Sequence, residues 1–139
     1  MVLKRTDSLK KVLRLERYAT SAKVPGGHSK LVAFAEREIP EWEHLITFAD
    51  HEVSDGGLYE RTGWVKDGEL TPDYKYRVGS HREHKFSYRL ARFRSDPALK
   101  FEEGLSERQL AQLNGLDRIW DSGKTRYRYD KRGIDHRLR

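Results

Sequence analysis

The 139-residue sequence contains no cysteine, which excludes a disulfide framework, a thiolate metal site and a cysteine nucleophile. No apolar run approaches the roughly 20 residues needed to cross a bilayer, and no signal peptide opens the chain. These absences predict a soluble protein of the cytoplasm, with no membrane partner. Apolar residues are also scarce: they make up 36% of the chain, the same share as the charged residues. The core must therefore be lean and the surface heavily charged. Three Trp, seven Tyr and five Phe still give bulky rings to bury, which argues against disorder. The length suits one core.

Charge is abundant but unevenly placed. Residues 1–30 hold eight Lys/Arg against two acids, and residues 31–76 hold four against eleven. Residues 77–94 hold six against one, residues 95–121 three against six, and residues 122–139 seven against two. An acidic centre is thus flanked by basic blocks. In 77–94 and 122–139 aromatic residues are interleaved with the cations, the electrostatic footprint of a nucleic-acid partner. Arg82, Lys85, Arg89, Arg92 and Arg94, with Lys124, Arg126 and Arg128, read as phosphate contacts that set affinity without reading sequence. The alternative is a set of solvated basic surfaces.

Local patterns place the elements. Residues 1–11 read as a basic, fraying end. In V-L-R-L-E-R-Y (12–18) Leu13 and Leu15 alternate with charged residues, as in a strand with one wet face. Gly26-Gly27 gives a tight turn. Residues 28–38 follow with helical spacing, Leu31, Val32, Phe34 and Ala35 on one side and Lys30, Glu36 and Arg37 on the other. A helix opening at such a turn aims backbone N–H groups and a positive dipole end at whatever precedes it. Ser29 is placed to cap it or to hold an anion. Pro40 ends the helix, with Trp42 and Leu45 packed beneath.

Residues 45–50 form an apolar run closing on Asp50, a buried strand with a carboxylate where ligands sit in open α/β sheets. S-D-G-G (54–57) turns the chain into about one helical turn at L-Y-E-R, and Gly63 ends it before another strand at Trp64. D-G within V-K-D-G-E-L (65–70) reads as a turn. Residues 74–78 and 84–90 alternate as a hairpin with Arg on its polar face. S-E-R-Q (106–109) is a capping-box pattern opening a helix on Leu105, Leu110 and Leu113. Residues 118–120 and 125–129 read as two short strands around D-S-G. The expected division is a half-domain over 1–94, an appended helix plus hairpin over 95–129, and a disordered basic tail over 130–139. The appended unit reads as a DNA-contacting element or as a structural cap for the open sheet.

Asp50 is the leading candidate for a general base or a metal ligand, with a turn cap as its structural role. Ser29, placed to contact a phosphate or a substrate carbonyl, is the other candidate, against capping. His81, His84 and His51 with Glu52 suggest metal ligands. Residues three apart on a strand face opposite sides, so no metal site is assigned. Glu36, Asp50 and Lys66 come nearest to a two-carboxylate-plus-lysine nuclease set, without forming a convincing one.

The order of these pieces, a glycine turn and helix, a strand, then G-x-L-Y-E-x-x-G-W, resembles the second half of the N-acetyltransferase (GNAT) fold. V-P-G-G-H-S-K-L (24–31), F-A-D (48–50) and G-G-L-Y-E-R-T-G-W (56–64) are more closely similar to a phage domain family. That family includes Mom-type DNA-modification proteins and the C-terminal domains of some phage homing endonucleases. R-E-H-K-F-S-Y-R (82–89) and L-D-R-I-W-D-S-G-K (116–124) resemble its later segments, so the likeness spans about residues 12–129.

The resemblance implies an α/β (α+β), GNAT-like, mixed and mostly antiparallel sheet with flanking helices. It also implies transfer of an acyl or aminoacyl-type group to a DNA base, in the cytoplasm of an infected bacterial host. Asp50, Tyr59 and Ser29 match positions that Mom-type proteins use, Tyr59 as a general acid toward a leaving group with packing as its alternative role, while an upstream histidine of that family has no counterpart. An acyl-CoA-type donor would be held at Gly26, Gly27, Ser29 and Lys30, although His28 stands where a small residue is usual. The family has further strands and helices upstream of Val12. The N-terminal half of the fold is therefore expected to be missing: a partner chain completes the sheet, a homo-oligomer forms through the open edge, or the protein is a remnant. The alternative function is a non-catalytic DNA-binding module or a component of a phage homing endonuclease.

Overall fold

The computed structural model describes residues 1–7 and 11–132. The chain is mixed α+β, with mostly antiparallel sheets and flanking helices, and it divides into two compact units. One comprises residues 1–70 and 123–139, the other residues 71–122.

The first unit is built on a five-stranded sheet. Its strands are β1 (Val2–Asp7), β2 (Val12–Arg17), β3 (His44–Asp50), β4 (Val65–Leu70) and β8 (Lys124–Asp130), in the order β1-β2-β3-β8-β4. Only β2 and β3 run parallel, and the helix α1 (Gly27–Glu38) makes the crossover between them. A parallel pair requires such a crossover. The shorter α2 (Gly57–Arg61) links β3 to β4. Alternation along β3 and β8 buries Leu45, Thr47 and Ala49 with Thr125, Tyr127 and Tyr129 on one face. Leu13, Leu15, Val32, Trp42 and Trp64 complete that core. Trp42 donates its indole N–H to the Ala35 carbonyl at 3.3 Å, tying the end of α1 to the sheet.

The second unit is a three-stranded antiparallel sheet, β6-β5-β7, of β5 (Tyr74–Val78), β6 (His81–His84) and β7 (Asp117–Trp120). It packs with α3 (Leu90–Ser95) and α4 (Glu107–Leu113) around Tyr76, Tyr88, Phe93, Leu110 and Ala111. The capping box of α4 forms as the sequence predicts. The Gln109 N–H donates to Ser106 Oγ at 3.3 Å, and the Ser106 N–H donates to Gln109 Oε1 at 2.9 Å.

Several expectations are corrected. Residues 2–7 are a strand on the edge of the sheet rather than a fraying end. The strands at 117–120 and 124–130 are not a hairpin: β7 pairs with β5, whereas β8 lies between β3 and β4. The boundary between units consequently does not fall at residue 94. D-G in β4 is a bulge between Lys66 and Gly68 in an edge strand, where one extra residue is tolerated. The strand expected over 84–90 stops at His84, whose Nδ1 accepts the Phe86 N–H and starts a 3₁₀ turn. At the other end, Asp130 closes β8. The Lys131 N–H donates to the Glu43 carbonyl at 2.7 Å and the Arg132 N–H to Glu36 at 3.0 Å. Residues 133–139 of the expected tail lie outside the described residues.

Candidate functional site

The parallel strands β2 and β3 pair only over Val12–Arg14 and His44–Ile46, and then part. Past that point Thr47 Oγ1 donates to the Leu15 carbonyl at 3.0 Å in place of a ladder bond. The carboxyl ends of parallel strands are where open α/β sheets place ligands. Both helices of the unit begin there, each behind a glycine with left-handed backbone, Gly26 with φ 69° and Gly56 with φ 81°.

The two glycine pairs serve packing differently. A Cβ on Gly27 would lie 3.0 Å from the Tyr18 hydroxyl, whereas nothing lies within 4 Å of one on Gly26. Tyr18 therefore fills the inner side of the glycine turn, and Gly26 presents bare backbone. A Cβ on Gly56 would run into the Tyr127 hydroxyl, which donates to Glu60 Oε1 at 3.0 Å.

Behind the turn sits a nest of rings. His28 is 3% exposed and meets Tyr18, Tyr59 and Trp64 with ring centroids 5.2, 5.8 and 5.9 Å away. Among the described residues neither of its ring nitrogens has a hydrogen-bond partner, nor does the buried Nε1 of Trp64. Burial pushes the His28 imidazolium below its ordinary pKa, so the ring stands neutral. The buried side of α1 is thus His28, Val32 and Ala35, while Leu31 and Phe34, expected on that side, are 39% and 53% exposed.

The predicted site residues divide as follows. Tyr59 is half-buried, with its hydroxyl 3.5 Å from Thr47 Oγ1 on the α1 side of the sheet. Asp50 lies on the opposite side by the alternation of β3. Its Oδ1 accepts the Glu52 N–H at 3.1 Å, and its carbonyl accepts Val53 and Ser54. Asp50 therefore holds the turn after β3. Ser29 and Lys30 are exposed on the first turn of α1, whose N-cap is Gly26 with no side-chain cap, so Ser29 does not cap the helix. The fold does not bring Asp50 and Tyr59 together.

The basic residues also divide. Lys124, Arg126 and Arg128 alternate on the outer face of β8 in the first unit, where Arg126 pairs with Asp67 at 2.9 Å and Arg128 with Asp130 at 3.2 Å. Arg82, Lys85, Arg89, Arg92 and Arg94 belong to the second unit. Lys85 pairs with Asp73, Arg89 with Glu107 at 3.3 Å, and Arg92 with Asp96 at 3.4 Å. Arg89 and Arg94 also lie over the rings of Phe86 and Phe101, at 4.6 and 5.5 Å. Phe86 is 60% exposed and stacks on His84 with 16° between planes.

One cluster escaped the sequence. His51 Nε2 lies 2.8 Å from Thr125 Oγ1, which donates to Glu69 at 3.1 Å. Glu69 pairs with Lys66, whose hydrogen bond holds its carboxyl below the usual range. Its members stand on three different strand ends, so no local pattern announces it. Among the described residues no group of three or more His, Cys, Asp or Glu is arranged to hold a metal ion. Also among the described residues, no helix is long and apolar enough to cross a membrane. No protein-family model matches the chain, and no curated protein matches it significantly.

Proposed function

We propose that the chain is a DNA-binding, GNAT-like protein that transfers an acyl or aminoacyl-type group to a base. The observation that carries this reading is the parting of β2 and β3 beneath the glycine turn. A gap between parallel strands offers unpaired backbone groups along which an extended donor can lie. An acyl-CoA-type donor would be held by Gly26, whose bare backbone admits phosphates, together with Ser29 and Lys30 on the first turn of α1.

At the end of the gap Tyr59 is the proton donor. The exocyclic nitrogen of the base bonds to the acyl carbon, and the bond from that carbon to the donor's leaving group breaks. The attacking amine gives its proton to solvent, the Tyr59 hydroxyl protonates the leaving group, and the tyrosinate so formed takes a proton back from solvent. Asp50, bound to its own turn, supports the loop that carries α2 and Tyr59 and does not act on the base. The basic blocks hold the DNA backbone. The exposed edge strand β1 is where a second copy or a partner chain would extend the sheet.

The test is mass analysis of nucleosides from DNA of a bacterial host expressing the protein. A modified nucleoside that disappears in Tyr59→Phe supports the reading; its persistence in that variant removes Tyr59 from the chemistry. The second reading, a non-catalytic DNA-binding module, is favoured by the separation of Asp50 from Tyr59 across the sheet. It predicts no modified nucleoside, with only Lys and Arg substitutions changing function, each lowering the salt slope of binding by about one.

A further inference from the structure

In the second unit α4, β7 and the turn between them line an open recess of about 320 Å³, at the small end of ligand sites. Its floor is apolar, Ala111 and Leu116, and its walls carry Arg108, Gln112, Arg118 and Trp120. Arg108, Ala111 and Gln112 share one face of α4 because they are spaced by three and four. Arg118 and Trp120 share one face of β7 by strand alternation.

Trp120 is 54% exposed, unlike Trp42 and Trp64, which are 2% and 4% exposed. Its ring is braced on Tyr74 with centroids 5.0 Å apart. The guanidinium of Arg118 lies 4.3 Å from the centre of the same Tyr74 ring. Asp117, the one acid in the lining, is taken up by Arg77 at 2.6 Å. Arg108 makes no ion pair with the described residues. The recess therefore offers a braced aromatic face, a free cation and a side-chain amide that both donates and accepts, around an apolar floor.

We propose that this recess binds one unpaired nucleotide of a DNA strand. The base stacks on Trp120, the Gln112 amide meets its polar edge, and Arg108 takes the adjacent phosphate. A paired base cannot reach such a recess, because its faces are stacked and its edge is already bonded. The inference rests on the reading of DNA as partner and adds the state in which the strand is taken.

The test titrates the full-length protein with a short single-stranded oligodeoxynucleotide and with its duplex, following tryptophan fluorescence and the salt dependence of binding. Quenching reports Trp120, because the other two indoles are buried. The single strand is expected to quench strongly and the duplex little. Trp120→Ala should weaken single-strand binding about tenfold, the loss of one stacked base. Arg108→Ala should lower the salt slope by about 0.7, the value for one phosphate on a single strand. Binding without quenching, with both variants unchanged, overturns the recess and leaves DNA binding to the other basic surfaces. Equal quenching by the duplex overturns the preference for an unpaired base. Failure of both DNA forms to bind overturns the inference together with DNA as the partner.

Discussion

The two units both build cores from rings but differ in how many rings they leave in solvent. In the first, Trp42, Trp64, Tyr127 and Tyr129 are buried in the core, Tyr18, Tyr59 and Trp64 close over His28, and Phe34 on α1 stands exposed with Arg37 6.0 Å from its ring centre. In the second, Tyr76, Tyr88 and Phe93 form a core, while Phe86 and Trp120 stand out of it with cations gathered about them or their neighbours. A chain with few aliphatic residues builds its cores from rings. A ring left in solvent beside arginine is therefore better explained as a contact surface than as packing. The proposed donor site lies in the first unit and the proposed base contact in the second.

The largest test of this contrast substitutes one tryptophan in each unit. Trp42→Ala empties a core site and drops an indole hydrogen bond, and should cost about 3–5 kcal/mol by denaturant unfolding. Trp120→Ala should cost less than about 1 kcal/mol, because most of that ring is in water. Comparable losses at the two positions would erase the contrast.

Gly56→Ala comes next. It forces a left-handed φ on a side chain and drives its Cβ into the Tyr127 hydroxyl, so it should destabilise by about 2 kcal/mol or more. The same change at Gly26, with left-handed φ but open space, should cost about 1 kcal/mol. Equal values would show that the Tyr127 contact yields.

The acid side of the stability profile tests the His28 nest. Burial lowers the folded-state pKa below the ordinary 6.5, so the unfolded chain binds the proton first. Stability is complete above the unfolded value and is lost as pH falls through it toward the folded value. His28→Phe should remove that part of the pH dependence in urea titrations at successive pH values. An unchanged slope there would mean that another group is responsible.

The smallest expected effect is at the α4 cap. Ser106→Ala removes a bond to the Gln109 N–H and should cost about 1 kcal/mol, read as a shift in the unfolding midpoint. No shift would mean that the capping box contributes nothing.

Legibility in the sequence followed the range of the forces. The glycine turn and α1, the apolar run of β3 and the S-E-R-Q box are set by neighbours within one helical turn or a few strand residues, and each is readable. The partner of β8 is not. Its tyrosines alternate plainly, yet nothing local tells that residues 124–130 return to pair with residues 44–50 and 65–70. The D-G pair was read as a turn because most such pairs are turns; pairing with β8 made it a bulge.

The site was less legible than the fold. Asp50 and Tyr59 lie nine positions apart in sequence, but strand alternation sets Asp50 and Thr47 on opposite faces, and Tyr59 sits with Thr47. His28 reads as polar and proved buried, because Tyr18, Tyr59 and Trp64 converge on it from three other segments. The recess beside Trp120 has no motif at all. It arises where a face of α4 meets a strand of matching spacing.

The most direct measurement takes intact protein and Tyr59→Phe through the same two assays, DNA binding and nucleoside mass analysis of DNA from the expressing host. The account predicts that both proteins bind DNA alike and that only the intact one leaves a modified nucleoside. A modified nucleoside from both proteins, or from neither while both bind DNA, would contradict it.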